Sequence, residues 1–152
     1  MLEGRSGCQL VVQRGIGVGV HPDSVGVPIR KTGAVRTMVA AMTFSIAGSG
    51  GTAYGVAVAS KFLGVGSVVP GVTAGIGAVA TQSFAKVSYK ADALALLAAG
   101  ASAADAVARI TAADPLRETR QVGVVGTHDA ATFTGTECMD WAGGRVGGDH
   151  LD

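Results

Sequence analysis

From Phe62 to Ala85 the chain runs for 24 residues without a charged side chain, between Lys61 and Lys86. Such a run is long enough to cross a bilayer as a helix, and Gly71-x-x-x-Gly75 has the spacing of membrane helix pairs. Its internal punctuation argues the other way. Pro70-Gly71 falls mid-run, five glycines interrupt it, and Leu, Ile and Phe together number only four. Val-rich pieces separated by turn signals read as strands and loops. The run is therefore expected to form the interior of a soluble, β-rich domain rather than a membrane span.

The neighbouring sequence extends this pattern. Thr43–Ala47 alternates and is followed by Gly48-Ser49-Gly50-Gly51, a strand and its turn. Tyr54–Ser60 gives a second strand, Val65–Val69 a third ended by Pro70-Gly71, and Ile76–Thr81 a fourth. Then the character changes. Asp92–Ala99 is rich in strong helix formers and is stopped by Gly100. Ser102, with Asp105 three positions on, has the form of an N-cap, opening a second helix that runs through Ala112. Arg120–Val125 and Ala131–Thr134 are two further strands around a His128-Asp129 turn. The order ββββααββ predicts a layered α+β fold rather than a parallel βαβ sheet.

Charge separates the chain into two unlike pieces. Residues 1–41 hold five basic and two acidic residues, and 42–152 hold seven and nine, so the net +1 is the sum of +3 and −2. Between Asp23 and Asp92 there is no acid. The first piece shows no sustained period of 2 or 3.6 and no apolar stretch behind a basic start. Residues 1–41 are thus expected to be a non-structural extension or a mis-assigned start, with Met38 and Met42 at its end, and 42–152 the folding part. Near-neutral charge gives no support for nucleic-acid binding. Cys8 and Cys138 cannot build a disulfide framework or a four-ligand zinc site, which fits a reducing, cytoplasmic compartment.

Several motifs lose to simpler readings. Gly48-x-Gly50-x-x-Ala53 matches a dinucleotide fingerprint in form, but a strand follows where a helix must open, and the first acid is Asp92. Gly75-x-Gly77-x-x-Ala80 lies in a strand and fails as well. His128, Cys138, Asp149 and His150 show no metal-ligand spacing, so neither metal nor cofactor is expected. Cys138 reads as a packed or solvated thiol, and Glu137 with Asp140 as solvated loop acids.

One arrangement does carry chemistry. If Thr43–Ala47 and Tyr54–Ser60 form a hairpin, partner numbers sum to about 100. Thr43 then lies opposite Ala57 or Val58, with Ser60 and Lys61 just past the start of the first strand. A threonine after a methionine can become N-terminal when the methionine is trimmed. Its α-amino group, titrating near pH 8, can then deprotonate its own hydroxyl. A Lys61 cation nearby would favour the neutral, basic amine. A strand-end threonine beside a solvated lysine is the plainer alternative.

The residues around this hairpin resemble a known family. Met42-Thr43-Phe44-Ser45-Ile46, Gly55 through Phe62, Val65-Gly66-Ser67-Val68-Val69-Pro70 and Gly75 through Phe84 are similar to domain of unknown function 1028. The likeness continues through Ala112-Ala113-Asp114-Pro115, Arg120-Gln121-Val122, Thr134-Gly135 and Cys138 to Trp141-Ala142-Gly143, covering about residues 42–148. It implies an N-terminal nucleophile (Ntn) hydrolase fold, an αββα sandwich. It also implies Thr43 as nucleophile with its own amine as base, Lys61 as electrostatic partner, and hydrolysis of an amide through an acyl-threonine. For the oxyanion hole we place backbone N–H groups at Thr81 or Gln82, where a strand turns toward a helix.

Three departures accompany the resemblance. The extension blocks a free Thr43 until it is removed, Gly144 stands where a histidine is expected, and relatives continue beyond Asp152 through a Gln-Gly-Asn-containing segment. The expected domain is therefore C-terminally incomplete, with exposed apolar edges that favour a homo-oligomer. Two classes of function stand side by side. One is a hydrolase of a small amide or peptide, without nucleic-acid or membrane partners. The other is a non-catalytic binding or structural module, or an inactive fragment.

Overall fold

The computed structural model describes residues 8–14 (backbone), 43–50, 53–139 and 142–147. In chain order these form β1 (Cys8–Arg14), β2 (Thr43–Gly50), β3 (Ala53–Ser60), the short α1 (Val65–Val68), β4 (Pro70–Thr73) and β5 (Gly77–Ser83). Helices α2 (Ser88–Ala98) and α3 (Ala103–Ala112) follow, then a 3-10 turn at Arg117–Thr119, β6 (Arg120–Val125), β7 (Ala130–Thr134) and β8 (Gly143–Gly147). The strands make two four-stranded sheets, ordered β3-β2-β1-β8 and β4-β5-β6-β7. The chain is α+β, as its element order predicts.

The second sheet is the centre of the molecule. Strand alternation along β5 sends Val79 toward the helices, where it packs with Tyr89, Ala93, Val107, Ile110, Val122 and Val124. Its neighbours Ala78 and Ala80 face the first sheet and pack with Ala47, Val69 and Val125. Small side chains on this inner face let two sheets approach closely. Helix α2 lies on β4 and β5, and α3 on β6 and β7. The described residues thus supply three layers, αββ. The far face of the first sheet carries the cross-strand pairs Phe44–Ala59 and Ile46–Ala57, and Phe44 is exposed.

Local signals explain most element ends. The Ser102 Oγ accepts the Asp105 amide at 3.0 Å, as the cap motif predicts. The Asp129 carboxylate takes the next two free amides of α3, Ala103 at 2.8 Å and Ala104 at 3.1 Å. The β6–β7 turn is thereby pinned to the positive end of that helix. Helix α2 ends in a Schellman motif: Gly100 is left-handed (φ 87), its amide reaches Leu97 O, and the Ala101 amide reaches Leu96 O. The helix begins four residues earlier than expected because Tyr89, fully buried, anchors its first turn.

Three expectations are corrected. Val65–Val69 is not a strand: Gly64 is left-handed (φ 76), Ser67 Oγ donates to its carbonyl at 2.8 Å, and one helical turn results. That turn carries the chain from the first sheet to β4. The β2–β3 hairpin pairs Gly50 with Ala53 and Thr43 with Ser60, so partner numbers sum to 103 rather than about 100. Gly48 and Gly50, read as turn residues, are extended strand positions. Finally, Cys8–Arg14, inside the stretch expected to lie outside the fold, is a strand paired in parallel with both β2 and β8. The rest of residues 1–41, and Asp140, Trp141, Asp149 and His150, lie outside the described residues.

The uncharged run from Phe62 to Ala85 is divided among α1, β4 and β5. Among the described residues no helix is long and apolar enough to cross a membrane. On either side of the glycine fingerprint the described residues are strand, Thr43–Gly50 and Ala53–Ser60, and no helix opens at Ala53.

Candidate active site at the end of the β2–β3 hairpin

A cavity of about 720 Å³ opens where β2 begins and β3 ends. Thr43, Lys61 and Gln82 all line it, so the structure brings together three of the four residues singled out from sequence. Thr43 is the first residue of β2 and is half-buried. The corrected register sets it directly opposite Ser60, and the two hydroxyls are 3.0 Å apart. Ser60 Oγ also accepts the Phe62 amide at 3.1 Å, which fixes the turn that places Lys61 on the cavity rim. The Lys61 side chain is exposed and has no carboxylate partner among the described residues.

Thr81 is the residue that the cavity does not include. It is fully buried in β5, and its amide donates to Val69 O at 3.1 Å. That N–H is committed to the sheet and is not available as an oxyanion donor. Gln82, on the other face of β5, is also buried, and its side chain belongs to a polar chain through the sheet interface. Ser45 Oγ donates to Gln82 Oε1 at 2.5 Å, and Gln82 Nε2 donates to Gln121 Oε1 at 2.8 Å. Gln121 Nε2 then reaches Gly143 O at 2.7 Å and Thr134 Oγ1 at 3.1 Å. Gln82 therefore holds the floor of the cavity by tying β2 to β5 and β6.

Ser83, the last residue of β5, was not among the expected site residues. It lines the cavity with a left-handed backbone (φ 63), the sole such non-glycine among the described residues. Its buried Oγ has no hydrogen-bond partner among them. Strained conformations of this kind cluster at functional sites. Amides alternate sides along a strand. The Thr81 amide points toward β4, so the Ser83 amide points the same way, past Pro70, where β4 has given way to α1. The chain then turns out of the sheet, with the Ala85 amide on Ser83 O at 2.9 Å.

Arg120, at the start of β6 and across from Ser83, closes the opposite wall. Its Nε donates to Asp114 Oδ2 at 3.1 Å and its Nη1 to Phe84 O at 2.5 Å. Asp114 also accepts Tyr89 Oη at 2.9 Å and the Leu116 amide at 3.1 Å, with Lys86 Nζ at 3.6 Å. Burial works to raise the Asp114 carboxyl, but the Leu116 amide, the Tyr89 hydroxyl and Arg120 outweigh it and hold it below the ordinary carboxylate range. Burial, and then the bond to Asp114, push the Tyr89 phenol well above its ordinary value. The Thr136 amide and hydroxyl, with Arg117, hold Glu118 low.

The remaining candidates sit elsewhere. Cys138 is half-buried with Sγ 3.2 Å from Arg120 O, a packed thiol. His128 lines a separate hollow beside Ser102 and Asp129. No group of three or more His, Cys, Asp or Glu among the described residues could hold a metal ion. Glu137 is described without Asp140, so that pair is not formed among the described residues.

Ser60, Ser83 and Arg120 are the site residues that sequence reasoning did not assign. Ser60 follows from the hairpin register alone. Ser83 and Arg120 need the β5–β6 pairing, which joins positions 37 apart.

A model of the family of unknown function (DUF1028) matches residues 43–151. The crystal structure of protein SPO2555 from Silicibacter pomeroyi, itself assigned to DUF1028, is similar at 32% identity and a TM-score of 0.62. The match covers 64% of this chain and 45% of that one, so this chain spans less than half of its neighbour. No curated protein matches the sequence. With a family match that begins at Thr43 itself and runs over most of its length, the chain belongs to the family of unknown function DUF1028.

Proposed function

We propose that the cavity is the active site of a cytoplasmic amidohydrolase of the N-terminal nucleophile type, with the αββ layers forming part of an αββα Ntn sandwich. One observation carries the reading. The Thr43–Ser60 register gathers a strand-initial threonine, a serine hydroxyl at 3.0 Å and the Lys61 cation at the mouth of one cavity.

While Met42 is attached, the Thr43 nitrogen is an amide and no base. Hydrolysis of the Met42–Thr43 bond makes it an amine that takes the proton from Oγ1. Lys61 favours the neutral amine by raising the cost of a second positive charge nearby. Oγ1 then attacks the substrate carbonyl, and the amine passes its proton to the departing nitrogen as the C–N bond breaks. Water, deprotonated by the same amine, releases the acyl group and regenerates Oγ1. Ser60 orients the Thr43 hydroxyl. With the Thr81 amide committed to Val69, we assign the oxyanion donor to the Ser83 amide, one residue beyond the expected Gln82.

The test has two stages. Mass spectrometry of the protein from its own cells should find Thr43 at the mature N-terminus. A hydroxyl-directed acylating probe such as a β-lactone should then add one acyl group there, and Thr43→Ala should abolish labelling. A mature chain that retains residues 1–42 would falsify the catalytic reading and leave a binding module. Undiminished labelling of Thr43→Ala would remove Thr43 as nucleophile.

A further inference from the structure

The described lining of the cavity has two cations, Lys61 and Arg120, and no carboxylate. Its other side chains are largely apolar, with Phe62 and Phe84 each more than half exposed. Arg120 is held in place rather than free to wander. Its side chain is only 15% exposed, and two of its five N–H donors are fixed by Asp114 and Phe84 O. Three remain. Nor is its charge cancelled by Asp114, since that carboxylate is shared with Lys86 and with the Tyr89 hydroxyl. Glu118, the nearest acid in sequence, is turned to Arg117 and Thr136. A preorganised guanidinium lining a cavity is matched by a carboxylate, which it can bind through two parallel hydrogen bonds.

We infer that the cavity takes an amide that carries a carboxylate, with the anion received by Arg120 and Lys61 and an apolar group laid against Phe62, Val65 and Phe84. The volume of about 720 Å³ suits a molecule the size of an N-acyl amino acid. The inference rests on the hydrolase reading for the position of the scissile bond, but its binding arm is independent of turnover. Lys61, on the rim, steers the anion; Arg120, deeper in, fixes it.

The experiment compares N-benzoylglycine with its neutral counterpart N-benzoylglycinamide, binding to the full chain by calorimetry at low salt. The acid should bind about tenfold tighter or more, as for one charge-assisted contact in a shielded site. That advantage should shrink as salt is raised. Arg120→Gln should remove most of the preference while leaving the amide's affinity within about twofold. Because Arg120→Gln strips a partner from Asp114, its fold is checked by thermal unfolding. Lys61→Gln, at an exposed position, should cost the acid a few-fold and serves as the second variant. Equal affinities, a preference for the amide, or no binding of either at millimolar concentration overturns the inference. In the form that begins at Thr43, an acid preference without any acylation of Thr43 sinks the hydrolase reading alone. Acylation by charged and neutral probes at equal rates sinks the anion site alone.

Discussion

Replacing Ser83 by glycine should make the protein more stable and the site less effective. A non-glycine residue at φ 63 costs about 1–2 kcal/mol relative to a right-handed or extended backbone. The buried Oγ without a partner among the described residues adds about 1 kcal/mol of unrecovered desolvation. Against these stands the larger conformational freedom of glycine in the unfolded chain, about 0.5–1 kcal/mol. The balance is a gain of about 1–2 kcal/mol, at roughly 2–4 °C in Tm per kcal/mol for a chain of about 150 residues. Ser83→Ala separates the two causes, because it discards the hydroxyl and keeps the strained Cβ. It should recover only about 1 kcal/mol. Urea unfolding and calorimetry on the three proteins give the comparison. Equal Tm for Ser83→Gly and Ser83→Ala would show that the strain is no larger than the entropic cost of glycine, about 0.5–1 kcal/mol, and a destabilised Ser83→Gly would refute the reasoning outright. Where Thr43 is N-terminal, the glycine variant should also acylate more slowly, since its amide is no longer held toward the cavity.

Three further outcomes follow from the packing. Gly135→Ala should destabilise by about 2–3 kcal/mol, because a Cβ there would overlap the backbone of Arg117 and Glu118; urea midpoints measure it. Gln121→Leu leaves the Gln82 amide and Gly143 O without the partners it now supplies, which should cost about 2–4 kcal/mol and, by amide exchange, loosen β8 first. With its carboxyl held low in the folded state, Asp114 contributes stability above its unfolded pKa and loses it as pH falls through the folded value. Thermal stability should therefore drop below about pH 4, and Asp114→Asn should flatten that limb while lowering the neutral plateau. Tyr89 acts with the opposite sign: its raised phenol favours the folded state until the pH climbs past about 10.

How much of this was legible beforehand depends on how local the deciding interaction is. The cap at Ser102, the stop at Gly100 and the bounds of β6 are set within a few residues, and the sequence pattern finds them. The hairpin was legible as a hairpin, but its register was not, because Gly48 and Gly50 can be extended as readily as turned. That shift of three residues is what brings Ser60 to Thr43. Val65–Val68 carries strand-forming residues, yet one left-handed glycine before it outweighs their preference. Cys8–Arg14 has no alternation to read, as expected for a strand with parallel neighbours on both sides. In the site, Thr43, Lys61 and Gln82 come from neighbouring strands and could be grouped. Arg120 and the strain at Ser83 arise from the pairing of β5 with β6 and from Asp114, none of which is encoded near Thr43.

The placement of β1 between β2 and β8 has a thermodynamic consequence if the chain is cut before Thr43, as the proposed mechanism requires. The strand Cys8–Arg14 would then belong to a separate peptide, held without a covalent bond by its ladder to Thr43–Ser49 and Gly143–Gly147 and by its packing on β6 and β7. From that moment the sheet has a dissociation constant. Its stability falls on dilution and rises with added peptide, by mass action. Loss of the strand would leave β2 and β8 with open edges that a second molecule could pair with. A cut of the one bond before Thr43 would turn the middle of a folded domain into an exchangeable ligand.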